Sequence, residues 1–144
     1  MNTQEINNLL SNVDCFIGTY ARDILPKYQI KTKPCALIIN TDESSKPGQH
    51  WISLFLTEGV AEYFDSFGFT FIHDDILKFL KRNKIKKLIY NSKQLQSVTT
   101  STCGAYCILF VKFRCSGLSF CDVINYFSNN KINNDIKAFV SLLL

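Results

Sequence analysis

The sequence predicts an α+β domain in which a small mixed or antiparallel sheet is flanked by helices, with one buried helix at its centre. Three stretches carry that prediction. Cys35-Ala36-Leu37-Ile38-Ile39-Asn40 is a short, continuous apolar run of the kind that forms a buried strand. His50-Trp51-Ile52-Ser53-Leu54-Phe55-Leu56 and Val60-Ala61-Glu62-Tyr63-Phe64 flank the tight connection Thr57-Glu58-Gly59, which is a hairpin signal. Finally, Cys103-Gly104-Ala105-Tyr106-Cys107-Ile108-Leu109-Phe110 is almost wholly apolar and follows four hydroxyl residues at 99–102, so a polar turn leads into a buried helix headed by Cys103. With 144 residues the chain reads as one domain, 1–144, and 47% hydrophobic against 19% charged residues places it among folded chains.

The remaining elements follow in order. Residues 3–13 carry Ile6, Leu9, Leu10 and Val13 at helical spacing. Cys15-Phe16-Ile17-Gly18-Thr19-Tyr20 is apolar and is expected to turn at the glycine. Pro26 and Pro34 mark an extended or looped segment, and residues 41–49, with Pro47-Gly48, form a surface loop. Asp74 and Asp75 ahead of Ile76, Leu77, Phe79 and Leu80, with Lys81 and Arg82 behind them, suit a helix whose charges complement its dipole. Lys87-Leu88-Ile89-Tyr90 reads as a strand and residues 91–102 as polar and irregular. The Cys103 helix should run to about Cys115 and end at Gly117. Helices are expected over 119–128, with Val123, Ile124 and Phe127 inward, and over 134–143, with Ile136, Phe139, Val140 and Leu143 inward.

The N-terminus lacks the basic and apolar regions of a signal peptide, and no apolar run approaches the ~18 residues that span a membrane. A soluble, non-secreted monomer from a reducing compartment is expected, with most of the six cysteines as free thiols. There is no Cys-x-x-Cys and no metal-ligand spacing. The net charge of +4 is concentrated at Lys78, Lys81, Arg82, Lys84, Lys86 and Lys87, a face that suits either solvent or a polyanion.

Cys103 is the residue with chemical potential. A helix N-terminus offers free N–H groups and a favourable dipole, which stabilise a thiolate, although a lone buried cysteine is more often an inert core residue. A thiol nucleophile needs an imidazole, a group to orient that imidazole, and donors for an oxyanion. Of the two histidines, His73 precedes a helix and suits a surface or capping role. His50 begins a hairpin strand whose partner strand ends at Asp65, so these two side chains can meet. Gln96, seven residues before Cys103, can reach the thiolate and complete an oxyanion hole with the Cys103 N–H.

With these residues identified, the chain resembles the adenains, the adenovirus-type maturation cysteine proteases, and their relatives in large DNA viruses and virus-like DNA transposons. Phe16-Ile17-Gly18-Thr19-Tyr20, Cys35 to Thr41, Gly48-Gln49-His50-Trp51-Ile52, Tyr63-Phe64-Asp65-Ser66-Phe67-Gly68-Phe69 and the block from Gln96 through Cys103-Gly104 to Cys107 resemble family segments in the family's order. Together they span roughly residues 15–115; the last third is weakly matched. The resemblance implies Cys103 as nucleophile, His50 as general base and acid, Asp65 as the orienting acid where adenovirus enzymes carry glutamate, Gln96 as oxyanion donor and Trp51 as a wall of the site. An aspartate in that place is similar to SUMO-deconjugating proteases.

The implied activity is cleavage of viral or virus-like precursor proteins, capsid or core, after small glycine-containing sites during particle maturation. Virion and host nucleus or cytoplasm are the implied locations. No cofactor is implied for the chemistry. Family activators are DNA, which the 78–87 lysines would suit, and a disulfide-linked viral peptide, for which no cysteine lies between Cys35 and Cys103. Two other readings remain: a deconjugating protease for a ubiquitin-like protein, and a non-catalytic basic DNA- or capsid-binding protein on the same fold.

Overall fold

The computed structural model describes residues 1–143. A mixed five-stranded sheet runs in the order β1 (Phe16–Ala21), β2 (Cys35–Asn40), β3 (Trp51–Thr57), β4 (Val60–Phe64), β5 (Lys87–Tyr90). The two outer pairs, β1–β2 and β4–β5, are parallel, and the central β2–β3–β4 meander is antiparallel. The helices are α1 (Thr3–Leu9), α2 (Asp74–Arg82), α3 (Cys103–Cys115), α4 (Phe120–Tyr126) and α5 (Lys131–Val140). This is the expected α+β architecture.

Helices cover both faces of the sheet, which explains why β2 and β3 read as apolar runs instead of alternating. Ala36, Ile38, Trp51, Phe55 and Phe64 point toward α3, where they meet Tyr106, Cys107 and Phe110. Leu37, Ile39, Ile52, Leu54 and Tyr63 point the other way, toward Ile76, Phe79 and Leu80 of α2. The first nine residues of α3, Cys103 to Val111, are all buried. A helix apolar on every side must be enclosed, and α1, α4 and α5 enclose this one against the sheet. Its far end is fixed by Arg114, which donates twice to Glu62 of β4 (2.6 and 2.8 Å) and stacks over the Phe55 ring.

Three expectations are corrected. The chain does not turn at Gly18. Strand β1 passes through it with a shift in register, because Gly18 adopts φ +145°, where a side chain would also press on the Tyr20 ring. Most of the cysteines are free, as expected (Cys35, Cys103, Cys107 and Cys121), and the correction is confined to Cys15 and Cys115, which form a disulfide between the approach to β1 and the end of α3, with Cα atoms 5.9 Å apart. The third correction concerns α5. Ile136, Phe139, Val140 and Leu143 are exposed, at 44–75%, and Asn134, Asp135 and Ala138 face inward. The helix is rotated by hydrogen bonding. Asn134 Nδ2 donates to the carbonyls of Ser128 (2.8 Å) and Leu95 (3.1 Å), and its Oδ1 accepts from the Ser128 N–H (2.9 Å).

Among the described residues, no helix is long and apolar enough to cross a membrane.

The rotated α5 makes a stability prediction. Asn134→Ala, which strands buried backbone groups, should cost about 1–3 kcal/mol in urea unfolding. Ile136→Ser should stay within about 0.5 kcal/mol. The opposite ranking would mean that the apolar stripe is the packed face.

Candidate active site

The site lies where the N-terminus of α3 meets the start of β3 and the end of β4. The hairpin ladder ends with Ser53 opposite Phe64, so His50 and Asp65 project just beyond its edge. His50 Nε2 is 2.9 Å from Asp65 Oδ1. Both side chains are shielded, with 16% and 3% of their surfaces exposed. Asp65 is itself held on three sides. Its Oδ1 accepts the Phe67 N–H (2.8 Å), its N–H donates to Asn91 Oδ1 (3.0 Å), and its carbonyl accepts from Asn91 Nδ2 (2.6 Å). A carboxylate so placed makes Nε2 the protonated nitrogen and leaves Nδ1 as the working one. His50 Nδ1 is buried and has no hydrogen-bond partner among the described residues.

Cys103 is the first residue of α3 and is buried. Its thiol and the imidazole act on each other. Burial disfavours charge on His50, but Asp65 and Cys103 together outweigh it and raise the imidazole to about 9. Burial likewise opposes the thiolate. The His50 side chain and the backbone N–H groups of Trp51 and Gly104 prevail, and the Cys103 pKa is lowered. Thr102, in the N-cap position, makes no side-chain bond to the helix, so the first-turn N–H groups of α3 stay available to an anion. Cys107, one turn on, is fully buried and its pKa is pushed well up by desolvation, which is the behaviour of a packed thiol.

Trp51 packs beside the nucleophile. A Cβ added at Gly104 would lie 3.1 Å from Met1 Sδ and 3.4 Å from Trp51 Cδ1, so glycine is what lets these groups close over the helix start. The Trp51 indole donates to the Met1 carbonyl (3.3 Å). Gln96 is completely buried. Its Oε1 accepts from Ser66 Oγ (2.6 Å), and its Nε2 donates to the Thr100 carbonyl (2.9 Å), with Thr100 Oγ1 at 3.4 Å.

His73 is not hydrogen-bonded to His50, Asp65 or Cys103; it lies on the far wall of a groove it shares with His50, edge-on to Phe71 at the start of α2, and makes no capping bond. The basic residues lie on α2 and the turn into β5, on the sheet face opposite α3. Lys78, Lys81, Lys84, Lys86 and Lys87 are exposed. Arg82 is committed internally, donating to the Pro26 carbonyl at 2.7 and 3.2 Å.

Sequence reasoning missed Asn91 and Asp135. Asp135, buried on α5, accepts from Tyr106 OH (2.7 Å) and more distantly from Thr100 Oγ1 (3.3 Å), Thr102 Oγ1 and the Ser97 N–H (both 3.4 Å). It gathers the whole hydroxyl-rich loop ahead of Cys103. The only signal in the sequence is a cluster of hydroxyls that needs an acceptor.

The ion pair predicts a pH dependence. The pair exists above the depressed Cys103 pKa and below about 9, where His50 deprotonates. Alkylation of Cys103 by iodoacetamide, mapped by mass spectrometry, should therefore persist at lower pH than for a simple thiol. In His50→Ala, only the Trp51 and Gly104 N–H groups are left to oppose burial, and the profile should move to higher pH. Identical profiles would exclude the pair.

Comparison with known proteins identifies the family and the fold. A family model described as adenovirus endoprotease matches residues 16–133. A protease of bovine adenovirus 7 is 29% identical over 130 residues, covering 77% of this chain and 63% of that protein; the chain thus spans less than two thirds of this relative's length. In fold, the chain is similar to the crystal structure of the ASFV protease, with a TM-score of 0.65 at 15% identity, covering 95% of this chain and 65% of that one. It is also similar to the SUMO protease Ulp1, with a TM-score of 0.52 at 13% identity, covering 99% and 78%. The His–Asp–Gln–Cys order, the mixed sheet and the family match together show that this chain belongs to the adenovirus endoprotease family.

Proposed function

We propose that the chain is a cysteine endopeptidase that cleaves viral or virus-like precursor proteins, after small glycine-containing sites, during particle maturation. The observation that carries this reading is the held imidazole: Asp65 fixes Nε2 at 2.9 Å while Nδ1 stays free and buried beside a thiol of lowered pKa.

The residues support an acyl-transfer sequence. The Cys103 thiolate attacks the scissile carbonyl, and the Cys103 N–H and Gln96 Nε2 hold the oxyanion. Gln96 is pre-oriented through Ser66, and one of its Nε2 hydrogens has no partner closer than 3.4 Å once the Thr100 carbonyl is satisfied. His50 Nδ1–H protonates the leaving amine, then draws a proton from the water that hydrolyses the thioester. Asp65 holds the ring through both steps. A groove of about 320 Å3 along Trp51, Gly48, Asn40 and Thr19 supports an extended acyl-side peptide lying past Trp51.

The five exposed lysines on α2, the following turn and the start of β5 support contact with DNA as a polyanion, with Arg82 excluded by its bonds to Pro26. The virion and the infected cell are the corresponding places of action.

Cys103→Ala and His50→Ala should each abolish cleavage of a Leu-Ala-Gly-Gly peptide while circular dichroism stays unchanged, and His73→Ala should cleave normally. Full activity in Cys103→Ala would sink the reading, and loss in His73→Ala alone would reassign the base. Gln96→Ala should lower kcat by about 10²–10³. Asp135→Ala, which frees the loop before Cys103, should lower kcat by about tenfold or more with little change in KM. Asp135→Asn, which keeps an acceptor for Tyr106, should restore most of that loss. Equal loss in both Asp135 variants would leave the residue a structural role only.

A further inference from the structure

We propose that the groove on the far side of His50 is the subsite for the leaving-group side of the substrate, and that it takes an uncharged apolar side chain, aromatic by preference. This rests on the reading of the chain as a cysteine endopeptidase.

The groove has a volume of about 340 Å3 and begins at the His50–Asp65 pair itself. Tyr63, Phe67, Phe69 and Phe71 form its aromatic wall, and Thr41, Gln49 and His73 complete the lining. Phe67 lies tilted against the imidazole, with ring centroids 5.1 Å apart, and Phe69 stacks on Phe67 at 5.6 Å. A continuous aromatic surface therefore leads away from the working histidine. Phe69 and Phe71 are 61% and 71% exposed, although they sit within a few residues of the site. Large apolar side chains left open in this way beside polar groups mark a binding surface more than a packed one.

The chemistry assigns the occupant. In the acylation step the Cys103 S–C bond forms, the peptide C–N bond breaks, and the His50 proton goes to the departing nitrogen. The leaving chain must therefore pass along the imidazole. The acyl portion stays on sulfur and lies on the Trp51 side, in the other groove. Among the described residues Asp65 is the only carboxylate that lines the aromatic groove, and its Oδ1 is held by His50 and the Phe67 N–H. Neither lysine nor arginine lines it. Its ionisable groups are His50, which is paired with Asp65, and His73, which lies edge-on to Phe71, while its phenyl faces suit an aromatic or large aliphatic side chain.

The test uses quenched fluorescent peptides with Leu-Ala-Gly-Gly before the cut and Ala-Ala-Ala after it, in the presence and absence of duplex DNA. Phe, and separately Asp, replaces each of the three alanines in turn. At one of these positions Phe should raise kcat/KM about tenfold or more over Ala, and Asp should lower it. In the double variant Phe69→Ser, Phe71→Ser, the Phe-to-Ala ratio should fall to about one. Because this ratio is taken within a single protein, a general loss of activity or folding does not alter it. If the wild-type chain cleaves the peptides with no Phe preference, or if the preference survives the double substitution, the groove assignment is overturned and the endopeptidase reading stands. If the wild-type chain cleaves none of the peptides under either condition, both are overturned.

Discussion

The burial of α3 is the constraint on which the molecule is built. Nine consecutive buried residues, from Cys103 to Val111, leave that helix no solvent face. It lies against β2 and β3 and is closed in by α1, α4 and α5. Enclosure fixes the position of its first residue to within packing tolerance, because interiors pack as densely as organic crystals. The nucleophile candidate is therefore placed by the core and not by a flexible loop. The same enclosure excludes water from the thiol, which would keep it neutral if nothing opposed desolvation.

What opposes desolvation is a chain of held groups. Asn91 grips the Asp65 backbone, Asp65 grips His50, and the imidazole, with the Trp51 and Gly104 N–H groups, stabilises the Cys103 thiolate. Each link is short and shielded, and each comes from a different element. A second chain supports the other side of the site: Asp135 and Asn134 on α5 hold Tyr106, Leu95 and the hydroxyls of the loop before Cys103. The two chains meet at Ser66 and Gln96, where the turn after Asp65 is tied to that loop.

The second chain also explains why α5 departs from its periodic pattern. Turning Ile136, Phe139 and Val140 inward would bury apolar area, but it would take Asn134 from the Ser128 backbone and Asp135 from the loop hydroxyls. Leaving several polar groups unsatisfied in the interior costs more than exposing a few aliphatic side chains. The polar face therefore wins, and an apolar stripe remains on the surface.

The residues taken alone determined the alternation of elements, the hairpin that brings His50 to Asp65, and the buried helix headed by Cys103. All three depend on local patterns: an unbroken apolar run, a tight glycine turn, and a polar lead-in to an apolar helix. The candidate site was legible because its His, Asp, Gln and Cys lie within or beside such patterns, in an order with a known resemblance. Only the tertiary structure decided the strand through Gly18, the Cys15–Cys115 disulfide, the phase of α5 and the supporting roles of Asn91 and Asp135. Those features depend on partners up to 100 residues away in the chain, and a strand pairing, hydrogen bond or disulfide between distant residues leaves no periodic trace at either end. Cys103 shows both halves of this. Its place at a helix start can be read directly, whereas its lowered pKa depends on the His50 side chain and the Trp51 N–H, which β3 brings to the helix start beside the Gly104 N–H.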